Sequence, residues 1–146
     1  MIKEGNLLDA TDDIIVHQCN CTTKYAKGLS DQIFTKYPYA NDYIGESVRI
    51  PGSIRLHGNG KDQRYIINMF AQYQPSKGWN EPRLIWFQEC LDKMSLALKG
   101  YTCSIGFPWK IGSGLAGGVW EDYYSLIQKF AENNPDLKIT LYSIAI

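Results

Sequence analysis

The sequence predicts an α/β chain: three layers, α/β/α, around a mixed central sheet. Three observations point there. Apolar, β-branched runs such as Ile14-Ile15-Val16 alternate with segments of helical periodicity. A Gly58-Asn59-Gly60 turn separates two strand-like runs and reads as a hairpin, which makes the sheet mixed. Two strand-to-helix turns, 18–29 and 111–119, each follow a buried run.

Residues 1–8 read as a first strand ending in Gly5-Asn6-Leu7-Leu8. Ile14 to Val16 are too apolar for a half-exposed strand and predict a central one, with His17-Gln18-Cys19-Asn20-Cys21 at its C-terminal end. Gly28 opens a helix with Leu29, Ile33 and Phe34 on one face, interrupted at Pro38. Ser53–Leu56 and Arg64–Phe70 are the hairpin strands, and His57 falls in the turn signal, exposed. A long helix starts at Glu81-Pro82, with Leu84, Ile85, Cys90, Leu91, Met94 and Leu98 as its apolar stripe and Gly100 as its cap. Thr102–Phe107 is the next strand. Val119–Glu132 is a helix with Tyr123, Leu126, Ile127 and Phe130 inward, and Lys138–Ile146 is the last strand.

The chain has 146 residues, a length suited to a single domain, 1–146, with one core. Lysine plus arginine equals aspartate plus glutamate, so no broad electrostatic footprint for nucleic acid or anionic membrane is expected. No apolar run approaches the ~18 residues of a membrane span, and the N-terminus lacks a signal peptide's apolar core. Cys19-x-Cys21 has no second pair at zinc spacing, and Cys90 and Cys103 sit in apolar patterns. The reading is reduced thiols, no metal and a cytoplasmic chain.

The chemistry-bearing stretches are the two turns. Gly112, Gly114, Gly117 and Gly118 lie between an apolar strand and a helix. Such a turn either aims backbone N–H groups at a phosphate or uses glycine only for φ > 0 at a surface bend; the spacing matches neither a P-loop nor a Rossmann fingerprint. If the two preceding strands are neighbours, the turns face each other across a cleft at the C-terminal edge of the sheet. Two rows of N–H groups suit a diphosphate, and the Asn20 amide suits a sugar hydroxyl.

Gly5-Asn6-Leu7-Leu8, then Ile14-Ile15-Val16-His17-Gln18-Cys19-Asn20-Cys21, then Lys27-Gly28-Leu29, and finally Ser113-Gly114-Leu115-Ala116-Gly117 stand in an order and spacing that resemble the macro domain family, which binds ADP-ribose. Within it the likeness is greatest to the ADP-ribose 1″-phosphate phosphatases known from yeast and to the terminal ADP-ribose protein glycohydrolases. The resemblance implies a macro-domain-like fold, ADP-ribose or its 1″-phosphate as ligand, ADP-ribosylated protein as a further partner, and no cofactor. It implies that Asn6 and Leu7 contact adenine, that Lys27, Gly28 and Leu29 line a first phosphate loop, that Ser113, Gly114, Leu115, Ala116 and Gly117 supply a second, and that Asn20 orients the distal ribose. Tyr142 and Ile144 become candidates for the outer wall of the adenine site.

The departures from the family pattern carry weight. Asn6 replaces the family's Asp, turning a charge-assisted bond to adenine into a neutral one, a loss of ~1 kcal/mol. The first loop is poorer in glycine, with Ala26 and Lys27 before Gly28. Ala116 stands where many members carry an aromatic residue. The Lys and Asp that serve the glycohydrolase class align with Gln72 and Ala116, which argues against that mechanism.

Three function classes follow. One is an enzyme, a phosphatase releasing the 1″-phosphate, with Asn20 and His17 as its catalytic residues and His17 as the proton-transfer group; the alternative for His17 is a structural histidine at a strand end. The second is a non-catalytic ADP-ribose reader. The third is a structural partner protein presenting Tyr39, Tyr43, Trp79 and Trp86 as an aromatic patch.

Overall fold

A computed structural model describes residues 1–45, 48–77, 80–113 and 117–144. The strands are β1 (Ile2–Asn6), β2 (Ile14–Asn20), β3 (Ile54–His57), β4 (Tyr65–Gln72), β5 (Cys103–Pro108) and β6 (Leu137–Ile144); the helices are α1 (Gly28–Lys36), α2 (Arg83–Ala97) and α3 (Trp120–Asn133). They form one sheet in the order β1-β6-β5-β2-β4-β3. Only β3 runs antiparallel to its neighbour, as the hairpin requires. This is the expected α/β/α architecture with a mixed sheet.

The alternation along β2 builds the layers. Ile14 and Val16 face α2 and α3, in one core with Phe87, Leu91, Met94, Ile127 and Phe130. Ile15 and Cys19 face the other way, in a second core with Leu7, Ile33, Phe34 and Tyr43 beneath α1. A strand segment buried on both faces is apolar wherever no hydrogen-bond partner awaits it, which is why Ile14–Val16 lack the polar alternation of an edge strand.

The stripe of α2 differs from the expectation. Leu84 and Ile85 are exposed, at 37% and 63%, while Phe87 is fully buried. The helix starts at Arg83, and the inward row runs 83, 87, 90, 94. One turn before Phe87 the inward position is therefore Arg83. It is buried because its guanidinium donates to the Glu81 carboxylate and to the carbonyls of Gln74 and Ser76.

His57 also departs from expectation. It closes β3, and its Nε2 lies 2.8 Å from Asp42 Oδ2.

The topology places the site. After β2 the chain moves through α1 towards β3 and β4; after β5 it moves through α3 to β6, on the opposite side. The two neighbours β2 and β5 are thus the point where the winding reverses, where open α/β sheets bind ligands. Their pairing covers Ile14 with Ile105 and Ile15 with Gly106. Beyond it both strands continue, to Asn20 and Pro108, and carry their following turns out on one edge.

Candidate functional site

The first turn is stapled by its own side chains. Asn20 Oδ1 accepts the N–H groups of Thr22 and Thr23 at 3.2 and 2.9 Å, and Nδ2 lies 3.2 Å from the Tyr43 hydroxyl, which also accepts the Asn20 N–H. The Arg49 guanidinium donates to the Asn20 and Thr23 carbonyls and sits 4.8 Å from the Tyr43 ring centre. The Cys21 N–H goes to the Tyr73 carbonyl. Asn20 is 7% exposed. In this arrangement it shapes the loop, and both ends of its amide are engaged.

The part of this loop left to meet a ligand is its end. Lys27 is exposed and precedes α1 without providing a side-chain cap; Gly28, at φ 59°, opens the helix. The first N–H groups of an α-helix have no intrahelical partners, so Gly28 and Leu29 present donors at the sheet edge. Asp31 lies in that first turn as a helix-start charge.

His17 is not beside the cleft. It is fully buried on the α1 face, edge-on to Phe34 at 5.1 Å between ring centres. Asn68, its register neighbour on β4, donates its amide N–H groups to the Ala40 carbonyl and to Asp42. The Asn68 oxygen must therefore accept from His17 Nε2, at 2.6 Å. That fixes the tautomer: Nδ1 is left as acceptor for the Ser30 hydroxyl, 3.0 Å away. Burial pulls the imidazole down to about 4, against the raising effects of the Asn68 bond and the Asp42 charge. A neutral, doubly bonded, enclosed ring cannot exchange protons with a ligand near pH 7, so the catalytic expectation for His17 is corrected to a structural one. The chain of contacts continues to the edge strand. Asp42 receives His57 and Arg55 as well as Asn68, and these bonds hold its carboxyl below the usual range although burial alone would raise it.

At the β1 end, Asn6 caps the short 3-10 turn Leu7–Asp9: its Oδ1 accepts the Leu8 N–H at 2.9 Å. The amide oxygen expected to meet an adenine amino group is thus in use at home. The Leu7 side chain is fully buried in the core. Tyr142 is corrected too: it is 6% exposed and bonds Asp12 through its hydroxyl, so it is no outer wall. The Ile144 side chain lies outside the described residues.

The second turn is organised by glycine. Lys110 takes φ 65°, uncommon for a residue with a Cβ, and its carbonyl accepts both the N–H and the hydroxyl of Ser113, at 3.0 and 2.5 Å. The Ser113 hydroxyl proton is therefore committed. The Gly118 N–H returns to the Gly112 carbonyl at 3.0 Å and closes the base of the loop. A Cβ on Gly118 would lie 2.2 Å from that oxygen, and one on Gly112 would lie 2.4 Å from the Tyr123 ring. Gly114, Leu115 and Ala116 lie outside the described residues, as does Trp79. Glu121 and Asp122 occupy the first turn of α3, so its positive end is already offset.

Of the proposed aromatic patch, Tyr43 is buried, the Tyr39 hydroxyl donates to the Arg64 carbonyl, and Trp86 packs on the α2–α3 core. A hollow of about 380 Å³ between the C-terminal ends of α2 and α3 is at the opposite edge of the sheet, lined by Asp92, Lys99, Asn134 and Asp136 among others. It has no part in the two turns.

Sequence reasoning missed Arg49, Asn68, Asp42 and Arg83 and gave Tyr43 and Glu81 other roles. Arg49, Tyr43, Asn68 and Asp42 act from distant places in the chain, and Glu81 and Arg83 act on the segment just before them.

No protein-family model and no curated protein matches the sequence. Solved structures do. The macrodomain of Mycobacterium tuberculosis DarG superimposes with a TM-score of 0.78 at 22% identity, covering 97% of both chains. That of Thermus aquaticus DarG gives 0.75 at 24% identity over 98% of both. The Trypanosoma brucei macrodomain in complex with ADP-ribose gives 0.71 at 20% identity, over 99% of this chain and 63% of that one. The fold is that of the macrodomains.

Proposed function

We propose that this chain binds ADP-ribose across the split between β2 and β5. The observation that carries the reading is the pair of turns leaving those two strands at the winding reversal, one ending in the uncapped start of α1 and the other closed by Gly112 and Gly118. Backbone donors at the start of α1, facing a glycine turn whose own N–H groups at Ser113 and Gly118 close the loop, suit the phosphates of a diphosphate. The fold shared with the Trypanosoma brucei macrodomain in complex with ADP-ribose, and with Thermosipho africanus DarTG in complex with ADP-ribose, supports the same reading. The order of residues resembling the macro domain family supports it independently, including the Ser113–Gly117 stretch.

Hydrolysis of ADP-ribose 1″-phosphate is the finer reading. With His17 enclosed, it rests on backbone donors and a positioned water alone. A reader of free or protein-linked ADP-ribose needs only the binding part, and the enclosure of His17 favours it. Calorimetric titration with ADP-ribose, run beside phosphate release from ADP-ribose 1″-phosphate, separates the readings. Saturable binding without phosphate release is the expected result. Phosphate release that disappears in Gly118→Ala would establish the phosphatase, and no saturation at about millimolar ligand, a Kd worth only ~4 kcal/mol, would remove both.

A further inference from the structure

We propose that Lys77 is a cation of this cleft, held over the second turn to contact the anionic part of the ligand. The inference rests on the ADP-ribose reading and adds to it a residue that supplies charge. The second turn is neutral glycine backbone followed by two carboxylates, Glu121 and Asp122. The one lysine of the turn itself, Lys110, lays its ammonium 4.7 Å from the Trp109 ring centre, so a further positive side chain for a diphosphate there has to arrive from another segment. The β4–α2 segment brings one. If Gly117 carried a Cβ, that atom would lie 2.8, 3.0 and 3.2 Å from Cγ, Cδ and Cε of Lys77. The lysine stem therefore runs along the Gly117 backbone, in space that only a glycine leaves open, and the ammonium is one bond beyond Cε.

The segment that delivers Lys77 is fixed at several points. The Tyr73 carbonyl accepts the Cys21 N–H of the first turn. The Glu81 carboxylate accepts the N–H groups of Tyr73 and Gln74 at 3.2 and 3.1 Å. Arg83 donates to Glu81, to the Gln74 carbonyl and to the Ser76 carbonyl next to Lys77. The segment thus bridges the two turns. The same bonds occupy Glu81, holding its carboxyl below the usual range although burial would raise it. The carboxylate closest in sequence is thereby spent on Arg83 and the backbone, and among the described residues none pairs with Lys77.

The test titrates ADP-ribose into the full chain as wild type, Lys77→Met and Lys77→Arg, at about 50 and 500 mM salt, with adenosine as the uncharged probe. Lys77 is exposed, so both variants are expected to melt within a few degrees of wild type. Lys77→Met is expected to bind ADP-ribose about tenfold more weakly at low salt, with a flatter salt dependence, while Lys77→Arg stays within about threefold. Adenosine binding is expected to be the same in all three. A purely structural stem would make the losses equal for ADP-ribose and adenosine and independent of salt, and that result overturns the proposal. Saturation by wild type that Lys77→Met leaves unchanged also overturns it while sparing the function reading. No saturation with wild type overturns both.

Discussion

His17 shows how one buried side chain sets a pH limit. Its folded value of about 4 lies below the ordinary 6.5 because burial disfavours the charged ring. Above pH 6.5 both folded and unfolded chains hold it neutral, and it costs nothing. As the pH falls from 6.5 to 4, the unfolded chain binds a proton that the folded chain refuses, so stability declines over that window. At pH 5 the loss from this residue is about 2 kcal/mol relative to pH 7.5. Urea denaturation at the two values should show it in wild type and not in His17→Gln, which keeps a donor for Asn68; an equal acid sensitivity in both would contradict the assignment. Below pH 4 the depressed Asp42 carboxyl adds its own loss, since its contribution is present above the unfolded value of 3.8 and disappears as the pH falls through the folded one. Asn20 makes a second residue-level test. Removing its two N–H caps and its bond to Tyr43 in Asn20→Ala should lower stability by about 1–2 kcal/mol. A variant as stable as wild type in the same denaturation would show that Asn20 does not staple the turn.

At the scale of elements, the second turn depends on backbone contact that no side chain tolerates. Gly118→Ala puts a methyl 2.2 Å from the Gly112 carbonyl, so the bond closing the loop must break. The expected result is a chain whose far-UV spectrum is retained, whose stability falls by roughly 1–3 kcal/mol, and which no longer saturates with ADP-ribose. Normal binding by this variant would mean that the loop base is not part of the site. The strands and the hairpin were legible because period-2 patterns, a continuous apolar run and a Gly-Asn-Gly turn are local signals. The start of α2 was misread because Leu84 and Ile85 look like core, while the inward position belongs to Arg83, whose burial depends on Glu81 and on carbonyls seven and nine residues back. The two turns were visible as sequence, but their adjacency was not. It depends on β2 pairing with β5, strands almost ninety residues apart.

For the whole molecule, a balanced charge means that attraction for the anionic ligand proposed above is local. Binding should weaken with salt only to the extent that one or two lysines are involved, unlike a nucleic-acid binder that loses orders of magnitude. Titration at several salt concentrations reads this directly, and a steep slope would point to a broad basic surface that the composition lacks. The Asn6 and Asn20 side chains hold neighbouring N–H groups, those of Leu8, Thr22 and Thr23, while Asn68 and Ser30 hold His17 and Tyr43 holds Asn20 from other elements, partners that residue order cannot reveal. On the reading proposed above, the ligand meets backbone at Gly28 and Leu29 and at the second turn, whose base is closed by the Gly118 N–H on the Gly112 carbonyl, with lysine at the rim. The measurement that reaches the central claim most directly is calorimetric titration of the wild-type chain with ADP-ribose, with Gly118→Ala alongside. Saturable one-to-one binding by wild type, lost in the variant, is the outcome the two-turn cleft predicts. No heat of binding by wild type up to about millimolar ligand, or equal binding by both proteins, would contradict it.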